Sequence, residues 1–134
     1  LFISIFFEID QNKINFKQFV ILNAFILRKI ISKIISKSIK IKWPNDLMYN
    51  NQKICGILQE VIIFNKKNYL IVGIGLNTNV APNNKGFSSN SLKNIINKNI
   101  NNKKVLNKIK SRYEKFLIEI RKLSYKELNK KYKT

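Results

Sequence analysis

The chain has no histidine, one cysteine and only 7 acidic residues among 134. Without histidine, imidazole acid–base catalysis and histidine metal ligation are excluded within it. The single Cys55 leaves no internal disulfide framework and fits a reducing compartment, so a cytoplasmic location is expected. No hydrophobic run is long enough to span a bilayer. The most apolar stretch, Phe19 to Leu27, is interrupted by Asn23 and falls well short of the ~20 residues that a crossing helix needs. No membrane partner is expected. Leu1-Phe2-Ile3-Ser4 carries neither a methionine nor a basic flank, so it does not read as a secretory leader and suggests a start inside a larger domain.

What is present is isoleucine, lysine and asparagine. Apolar residues make up 45% of the chain, enough for one domain with a core. The 26 basic residues give a net charge of +19. The lysines are spread along the whole length, which reads as compositional drift over a solvated surface; a polyanionic partner or an acidic protein substrate is the alternative. A basic nucleic-acid-binding module would need clustered cations with exposed aromatics between them. Most aromatics here fall on predicted apolar faces, which argues against a nucleic-acid partner.

Hydrophobic periodicity predicts a buried strand over residues 1–9 and a helix from an Asn15 cap to about residue 37. Phe16, Phe19, Val20, Ile26, Leu27, Ile30, Ile31, Ile34 and Ile35 give that helix its apolar face, with Arg28, Lys29, Lys33 and Lys37 opposite. Ile39, Ile41 and Trp43 then alternate with Lys40 and Lys42, a half-buried strand that places Trp43 in the core and ends at Pro44. After turn chemistry at Tyr49–Gln52, strands are predicted from Lys53 to Phe64 and from Tyr69 to Asn77, making a three-stranded antiparallel meander. A polar loop over 78–91 leads to a short helix near 91–98. A longer helix runs from about Lys103 to Leu123, with Leu106, Ile109, Tyr113, Phe116, Leu117 and Ile120 as its stripe. The tail adds a further turn or two. The class is α+β, a mainly antiparallel sheet with helices on one face.

Chemistry concentrates in residues 40–60 and around Gly73–Asn77. Asn45, Asp46 and Lys53 surround one tight connection, a cluster suited to a phosphorylated, anionic reactant. Lys53 can place an ammonium over a carboxylate or phosphate, or be a solvated turn lysine. Asp46 is a site carboxylate or an Asx-turn. Gly73, Gly75 and Asn77 fall on one strand face, where bare backbone admits a flat ligand or marks a bulge. Gly56 opens the backbone similarly beside Lys53.

Taken together, Lys42-Trp43-Pro44-Asn45-Asp46-Leu47, then Lys53-Ile54-Cys55-Gly56-Ile57-Leu58 with Glu60, then Val72-Gly73-Ile74-Gly75-Leu76-Asn77 closely resemble the catalytic domain of biotin protein ligases, in that family's order and spacing. The resemblance covers nearly the whole chain; Ser89-Asn90-Ser91-Leu92 is similar to the family's Thr-Ser-Leu helix start. It implies a class II synthetase-like fold of the biotin/lipoate ligase type. It also implies that residues 1–134 are a partial catalytic domain, without the family's N-terminal Gly/Arg-rich loop and small C-terminal β-barrel. The activity implied is ATP-dependent attachment of biotin, through biotinyl-5′-AMP, to a lysine of the biotin carboxyl carrier protein of acetyl-CoA carboxylase.

By the same resemblance, Lys53 would bridge the biotin carboxylate and the α-phosphate of ATP, and Gly56 and Leu58 would face biotin. Asn45 and Asp46 would lie beside the phosphates, and Gly75 and Asn77 would serve the adenosine. For Asp46 two roles stay open, as a Mg²⁺ ligand or as the group that steers and deprotonates the incoming lysine. ATP, biotin and Mg²⁺ are thus the implied small-molecule partners, and a homodimer is left open. The related lipoate ligases share the architecture, but Trp-Pro-Asn-Asp followed by Lys-x-x-Gly-Ile-Leu favours biotin.

Overall fold

A computed structural model describes residues 1–83 and 86–134. In chain order its elements are β1 (Phe2–Ile9), α1 (Phe16–Ile35), β2 (Lys40–Lys42), β3 (Asp46–Tyr49), β4 (Gln52–Phe64), β5 (Lys67–Leu76), α2 (Leu92–Ile96), α3 (Asn102–Lys122) and α4 (Tyr125–Lys133). The strands form one sheet in the order β1-β5-β4-β3-β2, antiparallel throughout. The α+β class and the one-sided helical layer are as expected. No helix among the described residues is long and apolar enough to cross a membrane.

Period-two alternation divides the sheet into two unlike faces. Phe7, Ile9, Ile57, Leu70, Val72 and Ile74 are buried beneath the helices. Phe2, Phe6 and Leu58 stand exposed on the other face, with Gly56, Gly73 and Gly75 between them. The first strand is therefore half-buried, not wholly buried as its run of apolar residues suggests. Phe2 is 94% exposed.

α1 is apolar on more than one side because it lies between the sheet and the other helices. Leu22, Ala24 and Phe25 are buried along with Phe19, Ile26, Leu27, Ile30, Ile31 and Ile35 of the predicted stripe, whereas Phe16, Val20 and Ile34 are only partly buried. Its capping box pairs Asn15 with Gln18. The helix stops at Ile35, two residues early, because Ser36 turns left-handed at φ 52°. In α3 the buried stripe is Val105, Ile109, Tyr113 and Phe116, so Val105 takes the inward place assigned above to Leu106. Asn23, fully buried on α1, donates to Gln59 Oε1 on the sheet (2.7 Å) and accepts from Tyr113 Oη on α3 (2.7 Å). Burial pushes the Tyr113 phenol above its ordinary range, so it remains a neutral donor.

Phe116 is the hub of the core. It packs edge-on against Phe7, Phe19, Tyr113 and Tyr132, with ring centroids 5.9 to 6.4 Å apart. Phe116→Ala is expected to cost about 3–5 kcal/mol, read as a lowered urea midpoint.

The meander has four strands, not three. Asp46–Tyr49, taken above as part of a connection, pairs with β2 on one side and β4 on the other. Four residues opening on an aspartate are too short for alternation to register. Trp43 belongs to the turn before β3 and is half exposed, its ring edge-on to Phe25 at 5.4 Å. It is not a core residue. β5 starts at Lys67 because Asn65 and Lys66, both at positive φ, close the hairpin in two residues.

Candidate active site

The site begins with a register irregularity. β3 and β4 are joined by Asn50 and Asn51, both left-handed at φ 47° and 61°. Leu47 pairs with Cys55, yet Met48 pairs with Lys53, so Ile54 is an extra residue on β4. This β-bulge lets Ile54 and Cys55 both point into the core, at 0% and 1% exposure. Simple alternation from Cys55 and Ile57 would send the Lys53 side chain inward as well. The bulge instead delivers it to the open face beside Gly56.

One row of paired residues crosses the sheet there: Asp46 opposite Gly56, Gly56 opposite Gly75, and Gly75 opposite Phe2. Two adjacent glycines leave a bare floor. The Lys53 side chain lies over it, so a Cβ added at Gly56 would stand 3.2 Å from both Lys53 Cε and Nζ. Lys53 Nζ also reaches Asp46 Oδ1 at 3.0 Å, with about a quarter to a third of each side chain exposed (24% and 30%). In the next row Leu58 pairs with Gly73 and Gly73 with Ser4.

Two clefts meet over the glycine floor. The smaller, about 440 Å³, has Asn45, Asp46, Leu58 and Gly73 in its wall. The larger, about 590 Å³, runs towards Asn77, Asn79, Val80 and Phe87. Phe2, Lys53, Gly56 and Gly75 line both. The ammonium therefore sits at a boundary where two ligands can face each other.

The segment after the larger cleft folds back to brace Lys53. The Lys53 main-chain N–H donates to the Ser88 carbonyl (2.9 Å) and the Lys53 carbonyl accepts from Asn90 N–H (3.0 Å), a parallel bridge centred on Ser89. Gln52 adds side-chain bonds to Ser88 and Asn90. Asn77 stands one residue beyond β5, not on its face, and is part of the same brace. Its Nδ2 donates to the carbonyls of Lys53 (3.3 Å) and Asn90 (3.1 Å). Its main-chain N–H and C=O bond Ile54 and Leu92. Ser89 and Asn90 enter the sequence reading only as a helix start and Phe87 not at all; the signal is Phe87, the one aromatic in the 78–91 loop.

Cys55 lies beneath this site, buried on the helical face of the sheet. Burial pushes its thiol up to about 12, which leaves it protonated at neutral pH and without a nucleophilic role.

A profile of the Biotin/lipoate A/B protein ligase family matches residues 1–77, which include all three motifs and the whole glycine row. The chain belongs to this family. Solved structures agree with it. The apo biotin protein ligase of Aquifex aeolicus is 26% identical with a TM-score of 0.75, covering 98% of this chain and 59% of that one. The same enzyme in complex with biotin and ATP has a TM-score of 0.76 at 26% identity, with 98% and 56% covered. The biotin protein ligase of Leishmania major, in complex with biotinyl-5-AMP, shares the fold at 19% identity and a TM-score of 0.72, with 98% and 59% covered. The chain thus spans rather more than half the length of these family members.

Proposed function

We propose that this chain is part of the catalytic domain of a biotin–protein ligase. Biotin's carboxylate attacks the α-phosphorus of ATP to give biotinyl-5′-AMP and pyrophosphate. A lysine of the biotin carboxyl carrier protein of acetyl-CoA carboxylase then attacks the acyl carbon and releases AMP. The observation that carries this reading is the Lys53 ammonium at the boundary of the two clefts. A carboxylate entering past Leu58 and Gly56 and an α-phosphate entering past Gly75 would both meet it. Each step gathers negative charge on oxygen, and a cation already in place lowers both barriers. Glycine at 56 and 75 lets reactants lie close to the backbone, where any Cβ would intrude.

Asp46 keeps the ammonium turned over the floor and lies beside Asn45 at the mouth of the smaller cleft. Among the described residues no group of three or more Asp, Glu, Cys or His stands together, so no all-protein metal cage is built. One carboxylate does suit a Mg²⁺ that arrives on the nucleotide and keeps most of its water. Such an ion would neutralise phosphate charge, with Asp46 as its protein ligand. Asp46 is equally placed to steer and deprotonate an incoming lysine.

Biotin is favoured over lipoate by 26% identity to the Aquifex biotin ligase, against 19% and a TM-score of 0.53 for lipoate-bound LipL1 of P. falciparum. Incubating the intact protein with ATP, a carrier domain and either acid decides between them. Biotinyl transfer is expected. Lipoyl transfer without biotinyl transfer would overturn the assignment.

A further inference from the structure

The larger cleft holds an aromatic side chain that the proposed chemistry does not use. Phe87 is the one aromatic residue between Asn77 and Ser91. Its ring centre lies 5.3 Å from Lys53 Nζ, and its neighbour Ser88 accepts from the Lys53 main-chain N–H at 2.9 Å. Ring and lysine are thus tied both through the backbone and across the cleft. We propose that Phe87 is a positioning residue: its ring face, alongside the Asp46 carboxylate, holds the Lys53 ammonium over the Gly56–Gly75 floor. This rests on the ligase reading above.

The physical need comes from the lysine itself. Its charge rides on a flexible four-carbon stem, and an ion pair as open to solvent as Lys53–Asp46 holds it weakly. Asp46 also spends the charge that an anionic reactant would use. A ring face does not; it attracts the cation through its quadrupole and leaves the ammonium hydrogens available. As a carboxylate and a phosphate arrive, Lys53 can exchange Asp46 for them while keeping Phe87. The ring then restricts the stem in the free and loaded site alike.

The test compares wild type, Phe87→Leu and Phe87→Tyr in the intact protein. In ligand-free samples, ring currents should move the Lys53 ε-CH₂ proton signals upfield in wild type and Phe87→Tyr, and Phe87→Leu should lose that shift. In biotin-dependent ATP–pyrophosphate exchange, Phe87→Leu should lower kcat about tenfold. KM for ATP and biotin should stay within about twofold, and Phe87→Tyr should restore kcat. A ring that merely lined the nucleotide cleft would raise KM for ATP and spare kcat, which overturns the proposal. So does wild-type kcat in Phe87→Leu, or absence of the upfield shift in wild type. Exchange missing from wild type itself instead overturns the ligase reading and the proposal with it.

Discussion

Lys53→Ala in the intact protein is expected to lower adenylate formation by at least about 10²–10³-fold while the fold stands. The size of the effect follows from location. Among the described residues the ammonium is the one charge that both clefts share, so its loss removes stabilisation from the activating and the transferring step alike. The small effect on stability follows from exposure. The partnership with Asp46 is partly solvated, and such pairs contribute roughly 0–1 kcal/mol. The main-chain bonds to Ser88 and Asn90 survive the substitution because they belong to the backbone. ATP–pyrophosphate exchange and a thermal melt on the same sample separate the two effects. Wild-type exchange in the variant would remove Lys53 from the mechanism.

Gly75→Val is expected to abolish measurable ATP binding by calorimetry, a loss of tenfold or more, with no loss of melting temperature. A Cβ at Gly75 already stands 3.4 Å from the Phe2 ring, and the two methyls of valine would extend from the floor both clefts share. In a strand interior, valine is otherwise the better residue, since glycine weakens a strand and offers nothing to pack. The two readouts are therefore expected to diverge. Unchanged nucleotide affinity would return Gly75 to a purely structural role.

Much of this architecture is readable from periodicity, and the misreadings that matter for the site lie in how strands and loops meet across the fold. α1 and α3 carry long stripes at helical spacing, and Asn15 caps the first as expected. The opposition of Gly56 and Gly75 emerges once two strands are known to be antiparallel neighbours. Asp46 and Lys53 are nominated by their motifs, and the structure brings them together at 3.0 Å. What one strand cannot reveal is its register against another. β3 is too short to announce itself, and the bulge at Ile54 exists only in how β3 and β4 align. Trp43 reads as core because alternation was extended one residue past the end of β2. The return of residues 88–90 to Lys53 depends on contacts some 35 positions apart, which no local pattern encodes.

The extra residue in β4 makes the reactive end of this protein unusually sensitive to counting. Every side chain named above could be kept, yet one residue added to β3 opposite Ile54 would absorb the bulge, restore strict in-and-out order along β4 and drive the Lys53 stem under the helices. An insertion in this short span of β3 should therefore be far less forgiving than a substitution, since the chemistry depends as much on where the chain is offset as on which amino acids it contains.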